Sequence, residues 1–268
     1  MRLRWLGAAC FQLDLGGLVV LFDPYLDSRA PFNPPPVSAR GLSEVDVVAV
    51  THGHFDHFAD APEVLSSSAA LLLASSDLCR YAADRLGLPE GRLVPIEPGR
   101  RVELRGCAFE ATRGVHLSPV EVIRWFTGDF SYAPASREEL RRAYAEHFPS
   151  EVLRFASEVP AGPLQGYVVE RGVRLWNVSE TKPFEELREL GGRLRADVAL
   201  VSVAGGFEDS SALIASWAAR KVAVPHSFDR LFERQALLGD VEAFKSRLAE
   251  LSPGVEVLVP KPGEWYSL

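Results

Sequence analysis

Apolar and polar positions alternate in short runs through the first third of the chain, the period of strands that bury one face. Leu3 to Leu6, Phe11 to Leu15 and Val19 to Phe22 read as three such strands, with Gly16-Gly17 as the hairpin turn between the last two. The stretch "DPYLDSRAPFNPPPVSAR" then breaks the pattern, because its four prolines from Pro31 to Pro36 cannot continue a central strand or a helix. Asp46 to Val50 is a continuous apolar strand that runs directly into "THGHFDHF".

Further on, strands and helices take turns. Helices are predicted at Ala61 to Leu65, Asp77 to Leu86, Phe184 to Leu190, Ser211 to Ala219 and Asp240 to Leu251. Strands are predicted at Leu71 to Ala74, Leu93 to Ile96, Arg101 to Leu104, Ala108 to Thr112, Gly166 to Glu170, Val173 to Val178, Val198 to Val203, Val222 to Val224 and Val255 to Val259. Residues 118–163 have a different texture. There "REELRRAYAEHF" and "SEVLRFASEV" carry apolar residues on one helical face. Two sheets packed together and covered by helices are expected, an α/β architecture, with residues 118–163 inserted over one edge as a candidate lid.

Composition narrows the chemistry. At 268 residues, 47% hydrophobic and 24% charged, the chain is of globular type and long enough for a full core. A net charge of -7 gives no footprint for a phosphate backbone, so nucleic acid is not an expected partner. Cys10, Cys79 and Cys107 are odd in number and lack a CxxC pair, which argues against disulfides and thiolate zinc sites. No stretch is long enough for a membrane span and the N-terminus has no signal-peptide pattern, so a cytoplasmic location is expected. A homo-oligomer is compatible with all of this.

Three of the six histidines lie between Thr51 and Phe58. Where a strand runs out into a loop, residues two apart project the same way, so His52 and His54 offer two imidazoles to one ion. Asp56 and His57 lie past the turn and diverge toward a second ion, as two-metal hydrolases require. His116 and His226 each stand at a strand-to-loop boundary. If the sheets bring those edges together, His52, His54 and His116 surround one ion and Asp56, His57 and His226 the other. Glu180, in "SET" after the strand "GVRLWNV", holds the same kind of position and is the candidate bridging carboxylate. Asp23, at the end of "LVVLF", is a candidate to orient a ligating histidine. Trp125 and Arg124, close behind His116, are candidates to contact substrate, Arg124 through an anionic group.

The stretches "LGAACFQLDLGGLVVLFDPYL", "VDVVAVTHGHFDHF", "VRLWNVSETKPFEEL", "ADVALVSVAGGF" and "VAVPHSFD", with His116, resemble a metallo-β-lactamase fold hydrolase, closest in style to the L-ascorbate-6-phosphate lactonase-like branch. They cover most of the chain outside residues 118–163. The resemblance implies one αββα sandwich domain over 1–268 and a dinuclear site at one sheet edge. It also implies a metal-bridging hydroxide that attacks a small, anionic, ester-like or lactone substrate, with Asp56 as proton acceptor. Two divalent ions are implied, zinc first, with manganese or iron as alternatives, since imidazole and carboxylate donors admit all three. The alternatives are a phosphodiesterase of the same fold, acting on a lipid or nucleotide, and a binding protein with a degenerate metal site. Two departures bear on this choice. Ser179-Glu180-Thr181 stands where relatives carry Gly-Asp-Thr, and Gly7-Ala8 where they often carry Gly-His.

Overall fold

Two seven-stranded sheets face each other across the middle of the molecule. The computed structural model describes every residue from Met1 to Leu268. The first sheet comprises β1 (Arg2–Gly7), β2 (Cys10–Asp14), β3 (Val19–Phe22), β4 (Val47–Ala49), β5 (Leu71–Ala74) and β6 (Leu93–Pro95), adjacent in that order. The second comprises β7 (Arg101–Leu104), β8 (Cys107–Arg113), β9 (Gln165–Arg171), β10 (Val173–Asn177), β11 (Ala196–Ser202), β12 (Ala219–His226) and β13 (Glu256–Val257), likewise in order. The last strand, β14 (Trp265–Ser267), returns to the first sheet and pairs with β1.

Both sheets follow one plan. Strands β14, β1, β2 and β3 are antiparallel neighbours and β3 to β6 are parallel. Strands β7 to β10 are antiparallel and β10 to β13 parallel. The molecule is thus a topological repeat that leaves no fixed period in the sequence.

The alternation along each strand sorts side chains between layers. Val47 and Ala49 of β4 join Phe11, Phe22, Phe109, Tyr167 and Leu200 in the core between the sheets, whereas Val48 and Val50 face helices on the outside. Parallel strands are covered on both faces, and for that reason β4 and the Val198–Val201 stretch of β11 read as unbroken apolar runs. On the outside of the first sheet lie α1 (Phe55–Phe58), α2 (Ala61–Ser67) and α3 (Ser76–Leu86). Ser75 caps α3 by accepting from the Leu78 amide, and Gly87 ends it in the left-handed region. Three helices fill the connection between β8 and β9, namely α4 (Pro119–Thr127), α5 (Arg137–His147) and α6 (Ser150–Glu158). The second sheet is covered by α7 (Glu185–Leu194), α8 (Glu208–Ala218) and α9 (Val241–Leu251). No helix is long and apolar enough to cross a membrane.

Most elements match the sequence reading within a few residues, with four differences. The short helix α1 lies inside the histidine motif, and α4 precedes the two expected helices of residues 118–163. Strand β12 begins at Ala219 and carries His226 as its last residue, and β14 was not foreseen. A three-residue edge strand offers too short a window for alternation to show. Trp265 of β14 is held from outside, with the guanidinium carbons of Arg2 and Arg4 each 4.8 Å from its ring.

The strand ends that form the site edge are tied by a buried arginine. Arg29 is 1% exposed, donates to the Leu6 carbonyl and pairs with Asp229 at 2.8 Å, while Asp229 also accepts from the Ala8 amide and from Asn33. Gly7 makes room for it, since a Cβ there would lie 1.6 Å from the guanidinium. The turn after β1, the loop after β3 and the loop after β12 are thereby joined.

Candidate metal centre

Strands β3, β4, β8, β10 and β12 release their chains at one edge of the sandwich, and every histidine of interest stands at or just beyond these ends. There the structure gathers two groups whose potential donor atoms lie within 4.8 Å of one another: His52, His54 and His116 in one, Asp56, His57 and Glu180 in the other. The helix α1, opening right after His54, carries Asp56 and His57 away from the first group toward the second.

Hydrogen bonds set the tautomers. A carbonyl or carboxylate oxygen only accepts, so the Nδ1 of His116, 2.9 Å from the Leu117 carbonyl, and the Nδ1 of His57, 3.1 Å from Asp23 Oδ2, both carry the proton. Thr51 gives its hydroxyl proton to Asp23 at 2.9 Å and therefore accepts from the Nδ1 of His52, 3.1 Å away. Ser227 gives its proton to Glu180 at 2.8 Å and accepts from the Nδ1 of His226 at 2.9 Å. The rings of His52, His116 and His226 are thereby left with a bare Nε2, whereas the Nε2 of His57 faces Glu180 and Asp56. His54 turns its Nδ1 toward the bare Nε2 of His52 at 3.0 Å.

Bare nitrogens in this setting call for a cation. The Nε2 of His226 is buried without a hydrogen-bond partner, an arrangement that is costly unless something positive binds there. Protons are poor substitutes in the first group. Burial, and then the neighbouring rings, hold His52 far below the usual histidine range and His54 down at about 3. Burial also lowers His226, to about 4. His57 goes the other way. Burial alone would push it down, but Asp23, Glu180 and Asp56 raise it well above the ordinary value. Its Nε2 lies 3.2 Å from Glu180 and 3.8 Å from Asp56. Burial and the Glu180 charge push Asp56 up, and His57 outweighs burial to pull Glu180 down. The donor set fits a pair of divalent cations.

His226 differs from expectation in its grouping. It shares the edge and reaches Glu180 through Ser227, but it is not one of the three donors drawn together around Asp56, a place taken by Glu180. Asp23 lies under the motif, accepting the Thr51 amide at 2.7 Å, the Thr51 hydroxyl and the His57 ring.

Strain gathers at the same edge. Ala8, Asp23, Ser179 and Ser227 have φ of 50°, 44°, 66° and 55°, in the left-handed region that glycine tolerates best. Each costs on the order of 1 kcal/mol or more, a burden borne where geometry matters. The buried hydroxyl of Ser179 also has no partner.

A cavity of about 770 Å³ opens over the two groups. Trp125 lines it, while Phe126 packs against Phe148 and Phe232 in the helical layer. Arg124 does not reach it. Its Nε donates to the Tyr132 carbonyl at 2.9 Å, bracing the chain after α4, so the expected contact of Arg124 with substrate is corrected. The one Lys or Arg on the wall is Lys182, paired with Glu121 at 2.9 Å. Glu121 is held ionised, down to about 2: burial would raise it, but Ser118 and Lys182 outweigh that. Sequence reading missed Thr51, Lys182, Glu121 and Ser227. Thr51 and Ser227 adjoin histidines in the motifs, which is a usable signal, but nothing in the sequence pairs residue 121 with residue 182.

Residues 19–223 match the family described as "Beta-lactamase superfamily domain". The chain belongs to this superfamily. The matched region contains both donor groups, and the observed αββα sandwich is that of the metallo-β-lactamase type. A metal-dependent hydrolase of Metallosphaera sedula is 29% identical over 100% of this chain and 99% of its own length. One of Rubrobacter xylanophilus is 28% identical over 98% and 95%. Among solved structures, the metallo hydrolase Igni18 of Ignicoccus hospitalis superposes with a TM-score of 0.69 at 18% identity, covering 100% of this chain and 98% of that one, a likeness of fold.

Proposed function

We propose that this protein is a metal-dependent hydrolase that cleaves a small ester-like or lactone substrate. The carrying observation is the pair of donor groups with bare, buried ring nitrogens at the floor of one cavity. His52, His54 and His116 would hold one divalent cation. Asp56, His57 and Glu180 would hold the other, with His226 beside Glu180. Zinc is the first candidate and manganese or iron the alternatives. Bound there, the cations supply Lewis-acid polarisation and a water acidic enough to attack at neutral pH.

The chain's own residues do the rest. Asp23 and Thr51 fix the rings of His57 and His52, so that the donors need no reorganisation. Asp56 is the candidate to accept the proton released on attack. Glu121, held ionised, cannot act as the acid. Trp125 contacts the substrate, and Lys182 is held by Glu121 at the wall.

Elemental analysis tests the reading. Wild-type protein is expected to carry two ions per chain and to turn over members of an ester and lactone panel. His54→Ala is expected to lose metal and activity with an unchanged circular dichroism spectrum. Full metal content in that variant refutes the assignment.

A further inference from the structure

Sixteen of the thirty residues lining the cavity are hydrophobic, and their placement says what the substrate must look like. Apart from the metal-binding candidates, the charged residues on the wall are Glu121 and Lys182, and they neutralise each other. Helix α6 buries none of its residues fully against the protein. Its apolar side chains Val152 and Leu153 are half-buried and line the cavity together with Trp125, Phe148 and Ile214 of α8. Apolar surface left open to water in this way is covered by an apolar ligand at a gain of free energy.

We propose that the substrate is amphiphilic, with its hydrolysable carbonyl at the histidine floor and an uncharged apolar body, an acyl chain or an aryl group, laid along α4 and α6. This rests on the hydrolase reading for the bond that breaks, and on the cavity alone for the body that binds. A small hydrophilic anion would leave most of the wall wet.

Two homologous series separate these supports. The first is a set of p-nitrophenyl esters from acetate to decanoate, assayed with the metal-loaded protein. The second is the methyl ketones from 2-butanone to 2-decanone, which have a carbonyl but no leaving group, followed by calorimetry. In both series, each added methylene is expected to raise kcat/KM or affinity about fourfold until the cavity is filled. Val152→Lys is expected to flatten both slopes. Rising ketone affinity with no ester turnover sustains the apolar body and overturns the ester-hydrolase reading. Turnover that does not depend on chain length, together with flat ketone binding, overturns the apolar body and leaves the hydrolase reading standing. Flat ketone binding without turnover overturns it as well. Should Val152→Lys fail to fold, the wild-type ketone series decides alone.

Discussion

Single residues at the strand ends set which atoms face the metals. Asp23 takes three hydrogen bonds at once, from the Thr51 amide, the Thr51 hydroxyl and His57 Nδ1. An amide in its place would present N–H to at least one of these donors and turn the His57 ring. Asp23→Asn is therefore expected to weaken binding of the second ion by 10-fold to 100-fold while leaving the first bound, as read by chelator competition. The same network gives a pH signature. Three carboxylates hold His57 protonated in the metal-free protein at neutral pH, so uptake of the second ion expels that proton. Affinity there should rise with pH, about tenfold per unit as long as one proton is released. His52 and His54, already neutral, have no proton to give up at neutral pH. Metal titrations at pH 6, 7 and 8 with proton-release calorimetry check this, and equal pH slopes for the two ions would contradict it. At Ser179 the left-handed backbone and the orphan hydroxyl both penalise the native residue. Ser179→Gly should stabilise by about 1 kcal/mol, raising Tm by about 2–4 °C in a scanning calorimeter. At this scale the sequence was most legible where donors cluster within a few positions, as from His52 to His57. It was opaque where partners are remote, as for Lys182 with Glu121, and it misread Arg124 because a backbone carbonyl can capture a guanidinium with no trace in side-chain pattern.

At the level of elements, the histidine motif and the helical connection between β8 and β9 are docked to each other through a glycine. The Gly53 amide donates to the Ala161 carbonyl at 2.8 Å, and a Cβ on Gly53 would lie 2.0 Å from the Pro160 carbonyl oxygen. Backbone cannot yield as a flexible side chain does. Gly53→Ala is thus expected to push the exit of α6 away from the site and to destabilise the fold by roughly 2 kcal/mol or more, within the range for overpacking. Denaturant unfolding measures the loss, and a wild-type midpoint would show that residues 160–161 move freely. Periodicity revealed α5 and α6 because each spans three turns or nearly so, whereas α1 is one turn and α4 opens with Ser118-Pro119, which reads equally as a loop. Expected strands were found both where they are fully buried, as β4, and where they alternate at an edge, as β7, whereas β14 escaped because three residues paired to β1 are too few to show a period.

In the whole molecule, two sheets of one topology place their parallel strand ends at a common edge, and Arg29 with Asp229 clamps the loops that leave it. Fold class and layer order were readable because alternation tells each strand which side is wet. How far apart the two sheets' strand ends would lie was not, since no local pattern encodes a contact between residue 56 and residue 180. That separation carries a consequence for biogenesis. Asp56 and His57 emerge early in synthesis, but Glu180 and His226 belong to strands made much later, so a growing chain cannot assemble the second binding site until β10 and β12 have joined their sheet. Ion capture by the nascent protein is then a late event, and any metal encountered before it meets only the isolated imidazoles of an unfinished edge.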